Sequence, residues 1–353
     1  MKITVNTKEI QTAFKNLLKL APVKSSVPIL SNILIIADSK KVELTATDID
    51  TTIHVILKNA EVIETGSYII PRDTIKLVQK LNDTYITISE NNIESGKRNV
   101  KYQALSTEMY PEKQNFNFNQ HAFTLSRPQM SEILPMTYAC STMESTPILK
   151  GVLFRNTNVV ATDRHRMALR TLESNDYTHD MVIPSNAIDL IQTFTEKQYK
   201  GEYSFIVDEY NRFVNIQFDN VTMIVRLCEG TYPDVSKIIP RTFNTEITVN
   251  KKDLIEELTV MKEVTDKTNT VKMNISSGSL KLSASNDTTS NQLESTLDAK
   301  QVGDDMRLAC NLEFILEALK NKESEKITIK LNGSTVPFMI DADTLILPHL
   351  LAA

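Results

Sequence analysis

Apolar and polar residues alternate along much of the chain, as in Ile86-Thr87-Ile88 and Ile327-Thr328-Ile329-Lys330-Leu331, the period-two pattern of half-buried strands. Helical stripes interrupt the alternation. Ile10, Phe14, Leu17 and Leu18 follow the i, i+4, i+7, i+8 spacing of one buried helix side. Ile75, Val78 and Leu81 form a second inward stripe after Pro71. At about 100° per residue, Lys8, Lys15 and Lys19 fall opposite the first stripe, and Lys76 and Lys80 lie one turn apart on the outside of the second.

These elements recur in order. A short strand, a capping residue and a helix read Ile3-Thr4-Val5-Asn6, Phe123-Thr124-Leu125-Ser126 and Ile247-Thr248-Val249-Asn250, each with an apolar anchor (Ile10, Met130, Leu254) four residues on. A small polar triplet ends a strand at Ala46-Thr47-Asp48, Ala161-Thr162-Asp163 and Ala284-Ser285-Asn286. A strand turns into a second helix at Tyr68-Ile69-Ile70-Pro71, Met181-Val182-Ile183-Pro184 and, more loosely, Arg307-Leu308-Ala309-Cys310. Pro28-Ile29-Leu30 and Pro147-Ile148-Leu149 repeat in the first two copies only. The period is far longer than the roughly 20 to 50 residues of solenoid repeats. The pattern therefore predicts an α+β chain of three similar domains, 1–120, 121–243 and 244–353. Each is expected to run strand, helix, three strands, helix, three strands, in antiparallel sheets with two helices packed on one side. The boundaries fall in the polar stretches Asn115–Gln120 and Arg241–Thr245, and Pro135 is placed to kink the middle copy's first helix.

Composition narrows the function. With 41% hydrophobic and 24% charged residues the chain has material for several cores, and few glycines and no tryptophan accompany the strand pattern. No apolar run reaches the roughly 18 residues of a membrane span. No signal-peptide pattern opens the chain, and Cys140, Cys228 and Cys310 show no CxxC spacing, so a cytoplasmic protein with reduced thiols is expected. A net charge of −5 excludes a small, strongly basic domain that grips DNA by phosphate neutralisation. The outward lysines, joined by Lys251, Lys252, Lys320 and Lys322 in the third copy, are either a solvated face or a weak phosphate-facing surface, with Glu9, Glu256 and Glu257 among them.

No glycine-rich phosphate loop, GxSxG, HExxH or cluster of metal ligands is present, so neither metal nor cofactor is expected. The densest string is Thr162-Asp163-Arg164-His165-Arg166-Met167-Ala168. Asp163 and His165 could orient and act as a base, but no nucleophile matches them. The first copy keeps Thr47-Asp48 and continues with Ile49-Asp50, so His165 and Arg166 belong to the middle copy alone. That asymmetry points to a binding site grafted on one copy of a shared scaffold.

Taken in order, Pro28-Ile29-Leu30-Ser31-Asn32, Leu44-Thr45-Ala46-Thr47-Asp48, the Thr162–Ala168 string, Glu229-Gly230-Thr231-Tyr232-Pro233-Asp234 and Leu345-Ile346-Leu347-Pro348 resemble the bacterial β sliding clamps, the processivity subunits of replicative DNA polymerases. The likeness spans essentially the whole chain. It implies a DNA-clamp fold in a head-to-tail homodimeric ring, sheets outside and helices inside. Such a ring holds duplex DNA topologically and without sequence preference, so a loosely positive lining suffices. The lining would draw on Lys8, Lys15, Lys19, Lys24, Arg72, Lys76, Lys80, Lys251 and Lys252.

The likeness further implies a groove for peptides of polymerase subunits and the clamp loader, between the second and third copies. By motif position it would use Leu149, Thr162, Arg164, His165, Arg166, Met167, Pro233, Lys237, Ile238, Asn311, Phe314, Leu345, Leu347, Pro348 and His349. Arg164 stands where the family usually has a small residue, often glycine. Ser185 and Asn186 replace basic residues, and the tail His349–Ala353 lacks the usual basic or aromatic ending. Ring closure would pair a basic edge (Lys97, Arg98, Val100, Lys101) with an acidic one in Gln292–Asp298 (Leu293, Glu294). Two other readings stand beside the clamp: a clamp-fold scaffold that binds proteins without DNA loading, and a hydrolase using Asp163 and His165.

Overall fold

The computed structural model describes residues 1–112, 116–173, 179–286 and 288–350. Asn115, in the expected first boundary, and the tail residues 351–353 lie outside the described residues. Among the described residues two α-helices fall in each copy of the repeat: α1 (Thr7–Leu20) and α2 (Arg72–Val78), α3 (Arg127–Ile133) and α4 (Ser185–Phe194), α5 (Lys251–Lys262) and α6 (Leu312–Lys320).

The expected caps start the first helix of each copy. The Asn6 side chain accepts the Glu9 amide at 3.1 Å, Ser126 forms a reciprocal capping box with Gln129, and Asn250 accepts the amides of Lys252 and Asp253. Each satisfies backbone donors that the first turn leaves without partners, an interaction typically worth ~1 kcal/mol. Pro71 and Pro184 precede α2 and α4 in extended conformation, while Asn311 caps α6 through the Glu313 amide at 2.9 Å. In α1 the inward stripe is Ile10, Ala13, Phe14, Leu17 and Leu20; Leu18, expected inside, is only half buried. Pro135 ends α3 rather than kinking it. The helix stops at Ile133 and continues as a 3₁₀ turn over Leu134–Ala139, because proline has no amide for the α-helical bond.

The strands outnumber the expectation. Five lie between the helices of the first copy (Ile33–Ala37, Val42–Thr47, Thr51–Leu57, Ala60–Glu64, Gly66–Ile70) and four in the third (Thr270–Ser276, Ser279–Asn286, Asn291–Gly303, Met306–Asn311), against three predicted. The segment leading into each second helix is a strand, as expected. Ala60–Glu64 is largely exposed and carries no buried alternation to betray it.

The chain divides into two compact units, Met1–Leu134 with Ser174–Cys228, and Pro135–Glu173 with Glu229–Ala353. The first contains a sheet in the order Ala60–Glu64, Lys2–Asn6, Tyr85–Ser89, Asn92–Ser95, Arg98–Lys101. Its second sheet runs Phe118–Ser126, Glu202–Asp208, Phe213–Phe218, Val221–Arg226, Thr51–Leu57, Val42–Thr47, Ile33–Ala37, Gly66–Ile70. In the second unit a continuous sheet runs from Gly151–Arg155 through Asn158–Thr162, Arg166–Thr171, Thr344–Ile346, Phe338–Ile340 and Lys326–Leu331 to Thr245–Asn250. It goes on through Asn291–Gly303, Ser279–Asn286 and Thr270–Ser276 to Met306–Asn311.

Each unit thus joins two copies of the repeat by one antiparallel strand pair, and the register is the same in both. In the first unit Val225 faces Thr51, and the Arg226 amide donates to the Asp50 carbonyl at 2.8 Å. In the second Ile346 faces Arg166, and the Leu347 amide donates to the His165 carbonyl at 2.9 Å. Asp50 and His165 hold matching places after the repeated Thr-Asp pair.

Candidate partner-binding site

The string around His165 begins as a turn built by its own side chains. The Thr162 hydroxyl donates to the Arg166 carbonyl at 2.6 Å and accepts the Arg164 amide at 3.1 Å. Asp163 Oδ1 accepts the amides of His165 (2.9 Å) and Arg166 (3.0 Å), and Oδ2 accepts Arg166 Nε at 3.0 Å. Arg164 sits at φ +80°, a region that disfavours every residue with a side chain, which explains why glycine suits this place. The first copy repeats the turn: Thr47 Oγ1 donates to the Thr51 carbonyl and accepts the Ile49 amide, Asp48 Oδ1 accepts the Thr51 amide, and Ile49 has φ +88°. The Asp163 carboxylate is therefore engaged by the backbone and Arg166, and it does not orient the His165 ring. The hydrolase pairing is not assembled.

The turn carries Arg166 into a well-paired site. Its guanidinium lies 4.5 Å over the Phe314 ring and 5.4 Å from that of Tyr138, with its charge met by Asp163 and Glu317. A guanidinium is suited to this setting, because its planar fork binds carboxylates while its faces stack on rings. The exposed His165 ring stacks on the same Phe314, with centroids 6.4 Å apart and planes 26° from parallel. Phe314 projects from the first turns of α6, whose cap is Asn311. The tail then crosses the site. From Leu347 on His165 it passes to His349, whose amide donates to the Ala309 carbonyl at 2.7 Å and whose Nδ1 is 2.9 Å from Thr270 Oγ1.

The structure therefore brings together Thr162, His165, Arg166, Asn311, Phe314, Leu347, Pro348 and His349 in one unit, with Arg164 exposed at the turn. Leu149, Met167 and Leu345 are 1% exposed and belong to the core below, Met167 and Leu345 facing each other across the strand pair. Pro233, Lys237 and Ile238 stand exposed on a segment anchored by buried Tyr232, whose hydroxyl reaches the Val160 carbonyl at 3.5 Å. Residue reasoning missed Tyr138 and Glu317. Glu317 was findable, lying three residues after Phe314 on the same helix face. Tyr138, in a 3₁₀ turn, gave no periodic signal.

Two of the expected DNA-facing cations are engaged internally. Arg72 donates to the carbonyls of Leu18, Ala21, Pro22 and Ser31, at 3.0 Å to Ala21, and so clasps the C-terminal end of α1 instead of facing outward. The Leu18 and Ala21 carbonyls stand at the end of α1, where helical partners run out and the dipole is negative, a setting that a guanidinium fork suits. Half-buried Lys251 donates to the Lys322 carbonyl at 2.6 Å, and Lys322 itself is held by Asp341 and Asp343. Lys8, Lys15, Lys19, Lys24, Lys76, Lys80 and Lys252 are exposed, with Lys76 paired to Asp73 and Lys19 bonded to Thr193.

The expected edges differ from each other. Arg98–Lys101 ends its sheet, as an edge strand should. Asn291–Gly303 lies inside the sheet order. It pairs with Ser279–Asn286 over residues 291–298, and with Thr245–Asn250 only over 299–303. The half holding Leu293 and Glu294 has one side unpaired among the described residues.

Three family profiles match in succession: the N-terminal domain of the DNA polymerase III beta subunit over residues 1–114, its central domain over 127–234 and its C-terminal domain over 236–344. The chain belongs to the DNA polymerase III beta subunit family, the beta sliding clamps. Its fold is the three-domain clamp fold, and the family is a processivity factor and not an enzyme. The chain is 29% identical over 346 residues to the beta sliding clamp of Streptococcus pneumoniae, covering 91% of this chain and 90% of that one. The crystal structure of the sliding clamp from Bacillus subtilis superposes with a TM-score of 0.89 at 24% identity over the full length of both chains. That of the Bartonella birtlesii clamp bound to griselimycin gives a TM-score of 0.91 at 24% identity, covering 99% of this chain and 100% of that one.

Proposed function

We propose that the chain works in DNA replication as a homodimeric ring around duplex DNA, tethering a polymerase and other partners by short peptides. Three domains, 1–120, 121–243 and 244–353, make each half of the ring. The observation that carries the reading is the run of three beta-subunit matches in order along one chain. The peptide site is the surface around His165, Phe314 and Leu347, where ring faces and an aliphatic side chain stand beside a rigidly held guanidinium. Such a surface suits a partner's apolar anchors with a few polar groups setting orientation.

The lining draws on Lys8, Lys15, Lys19, Lys24, Lys76, Lys80 and Lys252, while Arg72 and Lys251 support the helices that carry them. The basic strand Arg98–Lys101 with Lys97 meets the open side of Asn291–Asp298 on the partner chain, which makes the contact head to tail. No helix among the described residues is long and apolar enough to cross a membrane, and we place the ring in the cytoplasm, where replication occurs.

Retention on circular duplex DNA, loaded with an ATP-driven clamp loader, tests the function. The loaded protein should stay on closed circles at high salt and leave when they are linearised. Salt-sensitive retention that ignores linearisation would instead favour ordinary phosphate contact, and no retention would favour a protein-binding scaffold. Sedimentation at micromolar concentration should give a dimer.

A further inference from the structure

We propose that the first unit holds a second recognition pocket, at the place in the repeat that corresponds to the His165 site, and that it takes one aromatic side chain bearing a hydrogen-bond donor, a tyrosine or tryptophan of a partner peptide. A cavity of about 280 Å³ lies on one face of the sheet there. Alternation fixes which face: Leu34 and Ile36, Thr45 and Thr47, Thr52 and His54, and Ile224 all line the cavity, while Ile33, Ile35, Leu44, Ala46, Ile53 and Val55 point into the core. Ile36 and Ile49 leave its mouth apolar and partly exposed, at 38% and 59%.

The correspondence with the middle copy is residue by residue. Thr45 faces His54 across the strands as Val160 faces Leu169. The Tyr110 hydroxyl reaches the Thr45 carbonyl at 3.3 Å, as that of Tyr232 reaches Val160 at 3.5 Å. Tyr110-Pro111-Glu112 thus stands where Tyr232-Pro233-Asp234 stands in the next copy, and the Thr47–Ile49 turn stands where Thr162–Arg164 does. The scaffold on which the proposed peptide site is built occurs twice, and in this copy it encloses a cavity.

Its floor differs in a way that selects the occupant. Where the middle copy has apolar Val160 and Leu169, this copy has Thr45 and His54, with Glu43 beside them. His54 is 8% exposed, its Nδ1 is 3.1 Å from Glu43 Oε1 and 2.9 Å from Thr45 Oγ1, and Lys41 holds the other Glu43 oxygen at 2.8 Å. In the tautomer whose Nδ1 proton faces the Glu43 carboxylate, Nε2 is the acceptor, and among the described residues this buried nitrogen has no hydrogen-bond partner. A buried polar atom left unpaired is costly, and a ligand donor supplies what it lacks. The cavity falls just below the roughly 300–1,000 Å³ of drug-sized sites, which fits a single ring.

Titration of the full-length protein with p-cresol, toluene and N-acetyl-tyrosinamide, followed by the His54 ring resonances, tests the pocket. Both phenols should shift the His54 signals, and p-cresol should bind about five- to tenfold more tightly than toluene, the worth of one hydrogen bond. His54→Phe should remove that preference, and Ile49→Glu at the exposed mouth should weaken all three ligands without disturbing the core. Phe314→Ala should leave the pocket unaffected, so failure here is separable from failure of the His165 site. Equal binding of toluene and p-cresol would overturn the donor requirement. Binding of p-cresol but not of N-acetyl-tyrosinamide would overturn the side-chain occupant, and no perturbation of His54 would overturn the site.

Discussion

The two strand junctions share a backbone and differ in what they display. Each follows a Thr-Asp turn whose third residue has a positive φ, and each is closed by an amide donating to the carbonyl two residues beyond the aspartate. In the first unit that closing pair is Arg226 and Asp50, whose side chains also approach as an ion pair at 3.6 Å. In the second it is Leu347 and His165, and the histidine stacks on Phe314. A half-exposed ion pair is satisfied by water and its partner, whereas a half-exposed ring beside a leucine is apolar surface still open to contact. The contrast separates scaffold from recognition: a Thr-Asp pair builds the turn in both places, and His165, Phe314 and Leu347 make one example of it a surface for binding.

The largest effect should come from the recognition side. Phe314→Ala removes the ring under both His165 and Arg166, and should weaken a short peptide with two apolar anchors by roughly 2–4 kcal/mol in calorimetry, with the dimer intact. If binding survives, the surface is elsewhere. Next, Asp163→Ala removes acceptors for two amides and a partner of Arg166, and should lower unfolding stability by about 2–3 kcal/mol in denaturant titration. Asp48→Ala, which loses backbone bonds but no arginine partner, should cost less, and an equal loss would show that the turns are not graded by their contacts. Ile49→Gly releases a β-branched residue from φ +88° and should raise stability by up to ~1 kcal/mol, more than Arg164→Gly.

The smallest effect concerns pH. Burial raises the Asp48 carboxyl above its usual range, against the bond from the Thr51 amide. A raised carboxylate favours the folded state while protonated, and that contribution is lost as pH rises through the folded value. Asp48→Asn keeps the acceptor oxygen, as Asn286 does in the third copy with the amides of Thr288 and Thr289. It should therefore gain stability near pH 7 and lose that advantage in acid, measured as Tm against pH.

What could be read from residues was local. The caps Asn6, Ser126 and Asn250 and the Thr-Asp triplets announced themselves because the chemistry that makes them, a short oxygen-bearing side chain bonding nearby amides, is encoded within three residues. Arg72 was misread because its acceptors lie 41 to 54 residues away in sequence, at the end of another helix. Lys251 opens its helix and is expected outward, yet its long stem reaches a carbonyl past the end of α6. The turn at Arg164 was visible only as a departure from a glycine-favouring pattern; the positive φ supplies the cause. The charge of Gln292–Asp298 predicts an edge; the strand that holds it, Asn291–Gly303, changes neighbours midway, which no alternation records.

The boundary between the compact units runs through the middle copy, not between copies. The repeated stretch of sequence and the compact unit therefore have different bounds. A fragment ending near residue 120 would lose Val221–Arg226 and leave Thr51–Leu57 with a raw flank, prone to capture another strand. The same holds for Arg166–Thr171 once Thr344–Ile346 is removed. A copy of the repeat therefore cannot be cut out without opening the flank of its neighbour.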